Sequence, residues 1–439
     1  MAVLAPESPT TGRTFASLRT RNFRLFFIGQ IISNTGNWLT MVALTLLVLH
    51  RTGSGVSLGL LAACQFGPIL VLSPWAGAVV DRTDKRRLLL ATQSLAMVQS
   101  LALAALAFTH HAPIGAFYAT AAFGGCLLAI DNPVRRTFVN AMVSADDVSN
   151  AVSLNLALVN VARIIGPALA GLLVVTVGYG WCFTADALTY LVVLAMVAMM
   201  RNDELRPVPV TPRGKGQVRA GLRYVLSVRD LWVTFVMLLV VGTISYNFTV
   251  VIPLFVEHGL HGSDATYTLV YAAFSAGALV GALLVARRRT VTVTTVTIGT
   301  AALGVSMLAL SAVPDVGVAF VAAALVGAAS VAYMTATTAL AQLRTDPRMM
   351  GRVVALQTVL VGGTTPIGAP ILGAIADSIG ARAPVYIGGA AALLAAGFGW
   401  FAIRRASQLE FAPTATNPPG AIPCPTPRPP STRTAPHCS

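Results

Sequence analysis

Of the 439 residues, 55% are hydrophobic and only 10% charged, against about 25% charged in an ordinary soluble domain. That balance excludes a water-soluble domain, and long unbroken apolar runs in place of alternating strands point to spanning helices rather than a closed barrel. The formal charge of +14 would suit a nucleic-acid-binding face, but the basic residues gather in short segments between apolar runs, which excludes that class as well.

Apolar stretches of about 20 residues predict spans near 23–49, 56–79, 88–109, 113–131, 149–177, 181–200, 231–256, 266–286, 291–313, 316–341, 353–377 and 384–403. The first run is too long for a signal-peptide core and lacks a small-residue cleavage site, so it reads as the first span. All but three of the 30 Lys and Arg fall in segments that twelve spans put on one side; Arg51 and Arg382 fall on the other, and Arg163 lies within a span. By the positive-inside bias, both termini are expected in the cytoplasm of a protein of the cytoplasmic membrane.

The resulting layout is an all-α membrane protein. It has a cytoplasmic segment over 1–22, a six-helix bundle over 23–200, and a cytoplasmic linker over 201–230 with a short surface helix at 217–228. A second six-helix bundle follows over 231–403, then a Pro- and Thr-rich tail over 404–439 expected to be disordered. An internal repeat supports the two halves. The run from Ile165 to Gly171, with Gly178 beyond it, aligns with Ile367 to Gly373 and Gly380, each pair 202 residues apart. Repeated halves of this size are the layout of transporters whose bundles rock about a central site.

The segment between the second and third spans carries Gly77, Asp81, Arg82, Lys85 and Arg86. A carboxylate beside a basic cluster there reads as a conformational latch that pairs with a neighbouring span in one state and releases it in another. The plain alternative for the basic residues is topology alone, to which Asp contributes little. This segment resembles the Gly-x-x-x-Asp-Arg-x-Gly-Arg-Arg pattern of the major facilitator superfamily, with Asp84 in place of the second Gly. The resemblance covers roughly residues 20–405 and implies two pseudo-symmetric bundles working by alternating access.

Asp131 and Arg135, read as following the fourth span, are expected to complete the latch, Asp131 accepting the loop arginines; a simple helix-end carboxylate is the alternative. In the fifth span Gly166, Pro167 and Gly171 form a bent, close-packing patch. It is similar to the Gly-Pro-x-x-Gly-Gly motif that marks antiporters in the superfamily, with Ala170 in place of one Gly.

Arg163 is a costly intramembrane charge in need of a partner, and Asp186 is the clear intramembrane carboxylate of the same half, so the two are expected to pair. Either a static ion pair or a site where substrate and proton compete would result. Asn34 and Asn37 in the first span, and Tyr246 and Asn247 in the seventh, would face a central cavity or hold helices together. The stretch Ser33 to Trp38 resembles the enterobactin-exporter and macrolide-efflux branch, where Asp is usual at the place of Asn37.

No nucleotide-binding Gly-x-x-x-x-Gly-Lys-Ser/Thr occurs, His110 and His111 read as solvated, and the cysteines show no metal-ligand spacing. The sequence thus reads as a secondary exporter, not an enzyme, with no cofactor or metal and no nucleic-acid partner. Its partners would be the bilayer, protons and a drug-like or siderophore-like small molecule. An uptake permease of the same fold is the alternative; a non-transporting receptor or scaffold is disfavoured because the soluble segments are small.

Overall fold

The computed structural model describes residues 15–109, 111–144, 147–205, 217–288, 290–346 and 349–410. Among the described residues, twelve helical spans are long and apolar enough to cross a membrane. The first half holds α1 (Arg21–Thr52), α2 (Gly55–Arg82), α3 (Lys85–Phe108), α4 (Ile114–Met142), α5 (Val148–Thr176) and α6 (Tyr179–Ala198). A short α7 (Gln217–Ser227) leads into the second half, where α8 (Arg229–Val240) and α9 (Phe248–Leu254) share one span. After them come α10 (Asp264–Ala286), α11 (Val293–Ser311), α12 (Val316–Arg344), α13 (Met350–Gly362) with α14 (Thr365–Ile379), and α15 (Ala383–Glu410). The surface expected of a soluble protein is inverted, with Leu394 75% and Leu343 67% exposed, as a lipid-facing belt requires.

Local chemistry sets the helix ends. Ser54 accepts from Ser57 N at the start of α2, and Asp84 accepts from Arg87 N at 2.8 Å to cap α3. That cap explains the departure from the superfamily pattern, because the turn is built on an N-cap carboxylate instead of a glycine. Gly178 and Gly380, the repeat partners, both adopt positive φ (89° and 118°) at the turns after α5 and α14.

Two elements differ from the expected ones. The fourth helix runs to Met142 rather than 131, with Pro133 inside it. Val134, Phe138, Val139 and Met142 are buried along that extension, and their helical spacing outweighs the single hydrogen bond the proline removes. The seventh span is interrupted between Val241 and Asn247 by π-helical and irregular backbone. The eleventh breaks at Gly363 and Thr364, where Thr364, Thr365 and Pro366 lead one to expect a bend. Of the tail expected to be disordered over 404–439, residues 404–410 instead continue α15, and the expectation for 411–439 lies outside the described residues.

The halves pack through α2 against α14 and α5 against α10, with α9 against α1 and α2. One apolar cluster, with members such as Leu47, Ala170, Tyr267 and Leu372, is common to both halves. Two further clusters are confined to one half each: Phe23, Leu89, Phe138 and Val193 in the first, Val225, Phe235 and Val353 in the second. Both lie toward the face from which α1 starts and at which α15 ends, called the terminal face below.

Among the described residues, the polar links between the halves lie at the opposite, far face. The Asp264 carboxylate is bound by His50 Nε2 at 2.7 Å and by the Tyr179 hydroxyl at 2.8 Å. The Asp377 carboxylate accepts from Ser54 Oγ (2.7 Å), Gly55 N (2.6 Å) and Val56 N (3.0 Å). Asp377, from the second half, thus caps the first turn of α2 in the first half, where backbone N–H groups and the helix dipole favour an anion.

Candidate functional site

The first bundle encloses a polar core. Asp186 on α6 is 1% exposed; its carboxylate accepts from Thr40 Oγ1 (2.8 Å) and Ser100 Oγ (2.7 Å), with Thr189 Oγ1 at 3.4 Å. Gly36 on α1 permits this approach, since a Cβ there would overlap the Asp186 carboxylate and the Thr189 hydroxyl. Asp186 borders a cleft whose walls include Asn37, Gln65, Gln99, Asp131 and Arg135. Deeper in that wall Asp131 accepts from Thr92 Oγ1 and Gln93 Nε2, both at 2.9 Å, and pairs with Arg135 one turn along α4. Arg135 also donates to Gln30 Oε1, and Asn34 donates to the Gln30 carbonyl at 2.8 Å.

Two expectations are corrected here. Asp131 does not receive the arginines of the α2–α3 segment; its charge partner is Arg135 of its own helix, because α4 continues past it and carries both residues into the bundle. Arg86 of that segment donates instead to the carbonyls of Val197 (3.1 Å) and Ala198 (2.8 Å), at the C-terminal end of α6, where a cation is favoured. Arg82 is exposed at the end of α2 and Lys85 begins α3. Gly77 and Asp81 sit on the last turns of α2, and their side chains lie outside the described residues.

The second correction concerns Arg163 and Asp186, which do not pair. Asp186 is turned toward hydroxyls on α1, α3 and its own helix, whereas Arg163, halfway along α5, is turned to Trp38, its guanidinium carbon 5.1 Å from the ring centroid. The Arg163 Nε is buried with no acceptor, and among the described residues Arg163 has no hydrogen-bond or ion-pair partner. Trp38 reaches across to the second half, with Tyr271 at 6.4 Å between ring centroids. Of the seventh-span residues, Tyr246 stacks edge-on with Phe248 at 5.1 Å. Asn247 is buried in the helix break, donating to the Thr243 carbonyl at 2.8 Å while its Oδ1 has no partner.

The glycines of α5 have separate jobs. Gly166 lies against Trp38 and the Thr35 carbonyl of α1, within the first half; Gly171 lies against Thr268 of α10, across the interface. Their repeat partners do the same: Gly368 meets the Thr243 carbonyl within the second half, and Gly373 meets the Gly55 carbonyl across it. Pro167 is buried between the two α5 glycines. Sequence reading missed Thr40, Ser100, Gln30, Thr92 and Gln93, whose only signal is a polar side chain on an apolar helix. Tyr271, an aromatic in an apolar run, carried no signal at all.

Two pseudo-symmetric bundles of six spans, in contact across α2–α14 and α5–α10, define a multi-pass membrane transporter of the major facilitator type. The chain belongs to the transmembrane secretion effector family, whose profile matches residues 12–422. It is similar to the staphyloferrin A transporter of Staphylococcus aureus, at 24% identity over 60% of this chain and 66% of that protein. It is also similar to macrolide efflux protein A of Streptococcus pyogenes, at 22% identity over 82% of this chain and 90% of that protein. Among solved structures, a bacterial homologue of the lysosomal transporter Spinster, inward-facing and unoccupied, superposes with a TM-score of 0.69. That match has 13% identity and covers 87% of this chain and 97% of that one.

Proposed function

We propose that this transporter exports a drug-like or siderophore-like small molecule in exchange for protons, with Asp186 carrying the coupling proton. The observation behind the coupling role is a buried intramembrane carboxylate that borders a polar cleft and is held by hydroxyls alone. A carboxylate locked to a guanidinium would be held ionised. Hydroxyls can donate to the carboxylate and, by rotating, accept from the acid, so the Thr40, Ser100 and Thr189 cage accommodates both protonation states.

The terminal face carries most of the basic residues and is therefore read as cytoplasmic. With the polar links at the far face and separate apolar clusters toward the terminal face, the arrangement fits a state open to the cytoplasm, from which an exporter loads. The far-face ties at Asp264 and Asp377 then act as the gate that must part for release. The related macrolide efflux protein supports the outward direction.

The test is accumulation of a panel of fluorescent dyes and antibiotics in cells expressing the chain, with and without a protonophore. Lowered accumulation that the protonophore abolishes is expected, and raised accumulation would establish uptake in its place. Asp186→Asn should abolish the protonophore-sensitive part; export by that variant with undiminished proton dependence would refute Asp186 as the carrier.

A further inference from the structure

Charged groups within the spans are matched almost throughout. Arg135 has Asp131, Asp264 has His50, Asp377 has the N-terminus of α2, and Asp186 has its hydroxyl cage. Arg51 donates to the carbonyls of Ala112 and Thr109, and Arg382 to those of Ser311 and Gly259. Glu257, at the far-face end of its span, also has a buried Oε2 without a partner, but it is Arg163 that breaks the pattern deep in the membrane. It lies at mid-span, with its Nε enclosed without an acceptor and the side chain otherwise partly exposed. A guanidinium at that depth is expensive and ordinarily faces protein or water with a counter-charge.

Its surroundings are aromatic and come from both halves. Trp38 of α1 lies under the guanidinium. Beyond Trp38 the rings continue through Tyr271 and Phe274 of α10 (5.6 Å apart) to Phe248 (4.8 Å from Phe274) and Tyr246. Tyr246 and Tyr271 both lie within electrostatic range of Arg163. A cation without a counter-charge thus sits at one end of a chain of rings that bridges the two bundles. A planar guanidinium fork matches a carboxylate in bidentate fashion, and aromatic faces take up a flat apolar body.

We infer that Arg163 and this ring array form the binding site for a carboxylate-bearing amphipathic substrate, its anion on Arg163 and its apolar body along Trp38 and Tyr271. The inference rests on the transport reading only in taking the occupant to be cargo. Binding joins a charge on the first bundle to rings on the second, so an occupied site ties the two halves at mid-membrane. Gly166 is part of the construction, because a side chain there would drive Trp38 away from α5.

The test uses the full chain in nanodiscs of zwitterionic lipid, titrated by calorimetry with 2-naphthylacetate, its primary amide and 2-(2-naphthyl)ethylamine, three probes that share a ring body and differ in charge. A charge-assisted bond to a buried guanidinium predicts that the carboxylate binds about tenfold or more tightly than the amide, with the amine weakest. Arg163→Gln should bring the carboxylate down to the level of the amide while leaving the amide unchanged, and Arg163→Lys should retain part of the preference. Trp38→Ala should weaken carboxylate and amide alike.

A native chain that fails to bind the carboxylate, or binds it no better than the amide, overturns the proposal without reference to any variant. So does a carboxylate preference that survives Arg163→Gln. The series reads charge preference in binding alone and needs no proton gradient, so it is scored separately from coupled export. Failure of proton-driven export in cells with the charge preference present would sink the transport mechanism and spare the site, and the converse result would sink the site alone.

Discussion

Asp131 and Arg135 sit one helical turn apart with side chains 8% and 14% exposed, so removing either one strands the other's charge inside the first bundle. Asp131→Ala is expected to cost about 3–5 kcal/mol of stability, while Asp131→Ala with Arg135→Met should recover most of the loss. Thermal unfolding in detergent of the two single variants and the double variant measures this, and a double variant less stable than Asp131→Ala would contradict it. Gly36 makes a second demand. Gly36→Ala forces the Asp186 and Thr189 side chains to move, at roughly 1–3 kcal/mol for overpacking, and should depress transport more than Gly115→Ala at an open position. At this scale the sequence marks which residues are unusual, since Arg163 and Asp186 stand out as charges on apolar helices. It does not mark which way they turn: a helix apolar on all sides has no periodicity to assign its faces, and the two residues face different neighbours.

The elements repeat more faithfully than the residues do. Gly166 and Gly368 each pack within their own half, Gly171 and Gly373 each pack across the interface, and Gly178 and Gly380 each turn the chain at positive φ. These pairs were visible as a constant spacing in the sequence, though the division of labour between them was not. At the far face, the cap that Asp377 places on α2 joins one half's helix to the other half's side chain. Losing such a cap costs about 1 kcal/mol, a roughly fivefold shift in a two-state balance. Asp377→Ala should therefore lengthen the distance between spin labels on the α3–α4 and α11–α12 loops, read by pulsed electron paramagnetic resonance. An unchanged distance distribution would show that the cap does not hold the gate. The fourth helix shows where reading by hydropathy falls short. Asp131, Pro133 and Arg135 look like the end of a span, yet each is accommodated inside one because partners on α1 and α3 satisfy the charges.

For the whole molecule, the charge bias gives a direct expectation of orientation. A fluorescent protein fused at the C-terminus should fold and fluoresce, and alkaline phosphatase placed there should be inactive, whereas phosphatase inserted in the α3–α4 loop should be active. The opposite pattern would reverse the assignment of the far face and with it the state from which substrate loads.

Apolar length, charge bias and a repeat spacing of 202 residues are local or translational properties of the chain. For that reason the sequence by itself determined the twelve spans, the two halves and the superfamily resemblance. Partnership is a different kind of fact. That Asp186 finds three hydroxyls instead of Arg163, that Asp131 finds Arg135 instead of the loop arginines, and that a second-half carboxylate caps a first-half helix at the far face all depend on helix rotation and tilt. Those are set by side chains interlocking across distant segments, so only the tertiary structure decided them.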